Sequence, residues 1–167
     1  MSASYELPFG ATKLVDFGNK WMNRGLGGWI VNSIYTWQLG APLGPWGNLI
    51  YYGGDLHVDP RGVGSTSFDT TRFNTNTQQQ LTDNVGTFST QFSNLRSDGA
   101  NNIDLSLIKN TRLHDLINVQ LRFESFNAFN HTEFSAPSLV ATSSAFGRIT
   151  SQNNLSRTVQ IAARLVW

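Results

Sequence analysis

The chain has 167 residues, a formal net charge of +1 and no cysteine. Its length supports one ordinary domain with a core, and its charge gives no electrostatic case for nucleic acid as a partner. Without cysteine, disulfides, thiolate metal sites and cysteine nucleophiles are excluded.

Charged residues make up 14% and aromatics 12%, against about 25% charged in a typical soluble protein. Low charge, many aromatics and abundant Asn, Ser, Thr and Gly suit a barrel with aromatic girdles and neutral loops. They suit a secreted sugar-binding module as well. No apolar run approaches the roughly 18 residues of a transmembrane helix. The start, M-S-A-S-Y-E-L-P-F-G, shows no basic region followed by a hydrophobic one, so an exported protein's leader is expected to lie outside this chain.

In chain order, Ser4 to Phe9 reads as the tail of a strand closed by Pro8 and Gly10. Gly10 to Gly28 is a connection, with a helical turn at Asn19 to Leu26. A strand from Trp29 to Leu39 follows, with Trp29, Val31, Ser33, Tyr35 and Trp37 on one face. Trp29 and Trp37 lie roughly 26 Å apart along an extended strand. With a tilt of about 40° the separation along the membrane normal is roughly 20 Å, near the apolar band of about 25 Å in outer-membrane barrels. They are girdle candidates; the alternative is a pair of core tryptophans in a sandwich.

Gly40 to Ala100 has little regular pattern. Its aromatic patch, Trp46 to Gly54, reads as a short hairpin arm. Loops this long are uncommon in compact soluble domains and routine on one side of an outer-membrane barrel.

A hairpin comes next. Ile103, Leu105 and Leu107 alternate with Asp104 and Ser106; Ile117, Val119, Leu121 and Phe123 alternate with Asn118, Gln120, Arg122 and Glu124. Both apolar sets are odd-numbered and must share a face, so opposed residues sum to an even number. That excludes a two-residue His114-Asp115 turn and predicts a three-residue loop, 113–115 or 114–116. The final stretch, Arg157 to Trp167, alternates again: Val159, Ile161, Ala163, Leu165 and Trp167 against Thr158, Gln160, Ala162 and Arg164, with Val166 the one apolar exception on the polar side. With the end of this strand taken as periplasmic, both long linkers fall outside and both short connections inside. Lys109, on the apolar parity, is then expected to lay its stem in lipid and its ammonium among headgroups.

The segment Phe123 to Phe134, F-E-S-F-N-A-F-N-H-T-E-F, resembles the last strands of TonB-dependent outer-membrane receptors of the Oar-like group. Their L-R-x-E-x-F-N-x-F-N-H-x-x-F pattern is matched by Leu121, Arg122, Glu124, Phe126, Asn127, Phe129, Asn130, His131 and Phe134. The likeness extends to Tyr5–Gly10, Gly27–Pro42, Asn102–Asn110, Phe146–Thr150 and the terminal strand, where Trp167 stands in place of the usual Phe. Such receptors are larger, with a plug that contacts TonB and a barrel of about 22 strands. The resemblance therefore implies that residues 1–167 are the C-terminal part of a receptor barrel: an all-β antiparallel meander of about five strands with long outer loops. The implied home is the outer membrane of a Gram-negative-type bacterium. Outer-membrane lipid, the barrel-assembly machinery (through the C-terminal strand) and TonB (only through a plug) are the implied partners.

Asp104, Arg122, Glu124, Gln160 and Arg164 are expected to line the lumen, chiefly as paired packing groups and otherwise as contacts to plug or solute. Trp29, Trp37 and Trp167 are the girdle candidates. Trp46, Tyr51 and Tyr52 are candidates for stacking on an outer ligand; the alternative is that they pin the loop to the rim. His57, His114 and His131 lack metal-site spacing, and no cofactor is expected. Nucleophile elbows, P-loops and dinucleotide fingerprints are absent, so no enzyme is expected. The rival expectation is a soluble secreted β-sandwich that binds carbohydrate or serves adhesion.

Overall fold

The structure, a computed structural model, describes residues 1–58, 65–80, 89–114 and 117–167. These divide into two compact units. The first comprises Met1–Trp37, Asn101–His131 and Leu155–Trp167; the second comprises Gln38–Ala100 and Thr132–Asn154.

The first unit is built on a five-stranded sheet of β1 (Ser2–Glu6), β2 (Trp29–Gln38), β5 (Ala100–His114), β6 (Ile117–Phe126) and β7 (Thr158–Val166), in that spatial order. Two short strands of the second unit, β3 (Pro42–Leu43) and β4 (Phe92–Arg96), pair with each other. The mostly antiparallel, strand-rich fold is the one the alternation predicts. The sheet is open, with β1 and β7 as its edges.

Register follows the parity rule. Leu107 opposes Phe123 and Lys109 opposes Leu121; Phe123 opposes Ile161 and Val119 opposes Leu165; Tyr5 opposes Val31. Odd-numbered residues therefore share one face from β5 through β7, and a one-residue slip would turn every one of them over. The three-residue hairpin loop is not formed. The ladder is irregular between Arg112 and His114, and His114 then opposes Ile117. An irregularity in β5 absorbs the parity mismatch that a longer loop was expected to absorb. The remaining positions of the expected loop, 115 and 116, lie outside the described residues.

β1 ends at Glu6 and not at Phe9. Pro8 has no N–H to give a ladder, and beyond Leu7, whose N–H still donates to Trp29 O at 2.9 Å, the chain turns away toward α1 (Lys20–Leu26). Asn19 caps that helix, its Oδ1 accepting from Trp21 N–H at 2.9 Å. Gly28 leads into β2 with φ +72°, and a Cβ there would stand 2.5 Å from Asn110 O. Only glycine meets both conditions.

The second unit is not a patternless loop. Leu43, Trp46, Leu49, Leu56, Phe68 and Phe73 pack with Leu95, Ala141 and Phe146 in a core of its own. Phe68 is fully buried and meets Trp46, Phe73 and Phe146 edge-on at centroid distances of 5.0, 5.8 and 5.3 Å. Edge-to-face geometry of this kind is the arrangement that ring quadrupoles favour.

Candidate functional site

The two faces of the sheet differ in kind. On the odd face Val159 is 65%, Ile161 70% and Leu165 54% exposed. Full burial of a fully exposed side chain of this kind is worth roughly 1.5–3 kcal/mol, and more than half of that remains to be gained at each of these positions. A continuous face of this sort on a folded sheet marks an interface, since scattered single residues need no explanation but a ladder of them does.

The even face is mainly polar and cross-linked from β5 to β7, although Phe126 and Val166 are exposed apolar members of it. Arg122 Nη2 lies 2.6 Å from Glu124 Oε1, and Gln160 Nε2 donates to Glu124 Oε2 from the neighbouring strand. Gln120 donates to Asn110 Oδ1 at 2.9 Å and stands opposite Arg164 in the register. A shallow cavity at this end is lined by Asn110, Arg112, Gln120 and Arg164 together with Val119 and Val166. Of the five expected lumen residues, Arg122, Glu124 and Gln160 form one group, with Arg164 further along the same face. Asp104 stands apart, accepting from Asn102 Nδ2 and from Asn127 N–H, both at 2.9 Å. Beside it, Asn102 Oδ1 and Ser106 Oγ are buried with no hydrogen-bond partner among the described residues.

The girdle candidates sit differently from one another. Trp37 and Trp167 are exposed. Trp29 is half-buried, its ring 6.3 Å from that of Phe123 and beneath the Lys109 ammonium, 5.4 Å from the centroid. Lys109 corrects the expectation of an ammonium among headgroups. It is buried, and Nζ donates to Arg24 O at 2.8 Å and to Gly27 O. These carbonyls belong to the C-terminal end of α1, where partial negative charge accumulates. A cation on an apolar face thus takes its partners from the backbone of the β1–β2 connection.

Of the loop aromatics, Trp46 departs from the expectation of a ligand contact. Trp46 is buried, stacked on Phe73 at 5.6 Å with its Nε1–H on Leu43 O at 3.0 Å; it is a core residue, out of reach of a ligand. Tyr51 is half-buried against Phe73 and donates its hydroxyl to Gly54 O. Tyr52 alone of the three is well exposed. In the same unit, hydrogen bonds from the Thr71 hydroxyl, then from the Thr71 N–H, and the Arg72 guanidinium hold the Asp69 carboxyl below its ordinary 3.8. Among the described residues no cluster of His, Asp or Glu is placed to hold a metal ion.

A corner at the end of β6 is the feature that sequence reasoning missed. Asn127 and Asn130 have φ of +49° and +54°, a conformation that Asn tolerates better than most residues. Buried Asn127 donates through Nδ2 to His131 O at 2.9 Å and to Leu155 O at 3.0 Å, and its Oδ1 accepts from His131 N–H at 2.8 Å. Asn130 Oδ1 accepts from Arg157 N–H at 2.9 Å. Two asparagines three apart among phenylalanines were the available signal. Together with Asp104 they tie the ends of β5 and β6 to the start of β7.

A sheet with one apolar face open to its surroundings and one mainly polar, cross-linked face is what a sector of a transmembrane β-barrel presents, where the first kind of face meets lipid and the second a lumen. The chain matches the family described as an outer membrane beta barrel domain over residues 1–160, and it belongs to that family; its place is the outer membrane. No curated protein and no solved structure matches it. Among the described residues no helix is long and apolar enough to cross a membrane, which leaves crossing by strands untouched. The soluble sandwich is not favoured.

Proposed function

We propose that this chain is the C-terminal barrel portion of a TonB-dependent outer-membrane receptor of the Oar-like group. In the assembled receptor, an energised inner-membrane complex pulls on a plug domain and admits a bound nutrient. The single observation that carries this reading is the Asn127 corner. Three residues of the receptor-like pattern have bonding roles there: Glu124 joins β6 to β7, Asn127 bonds the backbone of His131 and Leu155, and Asn130 receives Arg157.

The open edges fit the same proposal. Unpaired N–H and C=O groups along β1 and β7 are untenable in hydrocarbon, so further strands must flank both. The C-terminal strand β7, with the exposed Trp167 after it, is the natural segment for the barrel-assembly machinery to receive. The test is nutrient uptake in cells. Deleting the gene and inactivating the TonB complex should each abolish uptake of the same compound, with no further loss on combining them. Uptake that needs the gene but survives loss of the TonB complex would overturn the proposal and leave a passive barrel.

A further inference from the structure

The β1–β2 connection presents apolar groups that no part of the described chain uses. Trp21 is 79% and Leu14 91% exposed, and Met22 and Leu26 are about half exposed. On a helix advancing about 100° per residue, Trp21, Met22 and Leu26 fall within one arc of α1. Lys20 and Arg24, both exposed, lie with Asn23 on the opposite side of the helix, where Asn23 donates to Asp16 Oδ1 at 2.6 Å and accepts from Phe17 N–H at 3.0 Å. The helix is therefore held by its polar side, with its apolar side turned out. Its C-terminal end is fastened to the odd face of the sheet by Lys109, beside Trp29.

We infer that α1 and the residues leading into it lie along the headgroup layer of an anionic phospholipid leaflet, at the end of the sheet where β2 begins. Trp21, Met22 and Leu26 enter the edge of the acyl region, and Lys20 and Arg24 face the lipid phosphates. This rests on the membrane-spanning reading of the sheet. Three observations carry it. Lys109 fastens the C-terminal end of α1 to the odd, apolar face of the sheet. Cations stand on the polar side opposite the apolar arc, as on helices that lie in an interface. A Trp sits at its most exposed point, where an amphipathic ring is best accommodated between headgroup and acyl chain. A partner protein would need a surface complementary to both the sheet face and the helix; a bilayer supplies one without any such match.

These residues contain no cysteine. Met22→Cys, as the single cysteine of the assembled barrel with its flanking strands, is labelled with an environment-sensitive fluorophore and placed in phosphatidylethanolamine–phosphatidylglycerol vesicles. The probe should be quenched by a nitroxide near the lipid headgroup more than by one deep in the acyl chain, and shielded from aqueous iodide. Replacing phosphatidylglycerol with phosphatidylcholine should lower the shallow quenching to about half or less, because the pull on Lys20 and Arg24 is removed. Trp21→Glu in the same background should do likewise, at a position too exposed for packing to suffer. Full iodide access at position 22, or quenching chiefly by the deep nitroxide, overturns the inference if an Ile161→Cys probe is quenched by lipid. An Ile161 probe that lipid does not quench overturns the membrane reading beneath it.

Discussion

Replacing Lys109 with Met isolates what the buried ammonium does, because the unbranched side chain keeps much of the volume and discards the charge. The wild-type ammonium makes two hydrogen bonds to carbonyls at the end of α1 and lies over Trp29. Hydrogen bonds to a charged group contribute about 1.5–3 kcal/mol each, and the ring adds about 0.5–2 kcal/mol. Against them stands the several-kcal/mol cost of withdrawing an ammonium from water. The net effect is a loss of about 2–3 kcal/mol in the docking of α1, since Arg24 O and Gly27 O are left without their donor. At about 1.4 kcal/mol per factor of ten, amide exchange should accelerate roughly 30- to 150-fold. The reporters are the amides of Asn23, bonded to Asn19 O, and Gly27, bonded to Asn23 O, followed by hydrogen exchange with the β5 and β6 amides as reference. Unchanged exchange in α1 would refute the reasoning. So would equal acceleration throughout the sheet, which would make Lys109 a support of the strands and not of the helix.

Phe68→Ala removes the fully buried ring of the second unit and should destabilise that unit by about 3–5 kcal/mol; the near-ultraviolet aromatic dichroism of a thermal melt reads it, and an unshifted midpoint contradicts it. Asn127→Ala strips three side-chain hydrogen bonds from a buried corner and should cost about 2–4 kcal/mol in a denaturant titration. A cost within experimental error would deny the corner its structural role. For Asp69, the folded carboxyl titrates below its unfolded value of 3.8 because Thr71 and Arg72 bond the charged form. Its contribution is therefore present above that pH and is lost as the pH falls through the folded value. Melts of the second unit across that acid range should show a flatter pH dependence in Asp69→Asn than in wild type, and identical profiles would count against the assignment.

The strands were legible because period-two alternation is written locally, and the shared parity of Leu107, Phe123 and Ile161 fixed which faces coincide. Turn geometry was less so: parity alone does not say whether a longer loop or an irregular ladder restores register, and the chain takes the latter next to Leu113. The core of the second unit was illegible for a different reason. Its members run from Leu43 to Phe146 at no fixed spacing, and contacts between residues so far apart leave no periodic trace. Tyr52 kept the exposure expected of it, whereas its neighbour Trp46 went inside, a choice made by Phe68 and Phe73 rather than by its own surroundings in sequence. Lys109 lay on the face that alternation assigned, but its partners are main-chain carbonyls, which carry no residue-specific signal.

The central claim is that lipid covers the odd face of the sheet and water the even one, and a cysteine scan along β7 tests it most directly. Single cysteines from Val159 to Leu165, each labelled in membranes that carry lipid nitroxides, should alternate: quenched by lipid at Val159, Ile161, Ala163 and Leu165, open to aqueous reagent at Gln160, Ala162 and Arg164. A uniform profile, or odd positions shielded from both lipid and water, would mean that protein covers that face, and the membrane-spanning account would fall.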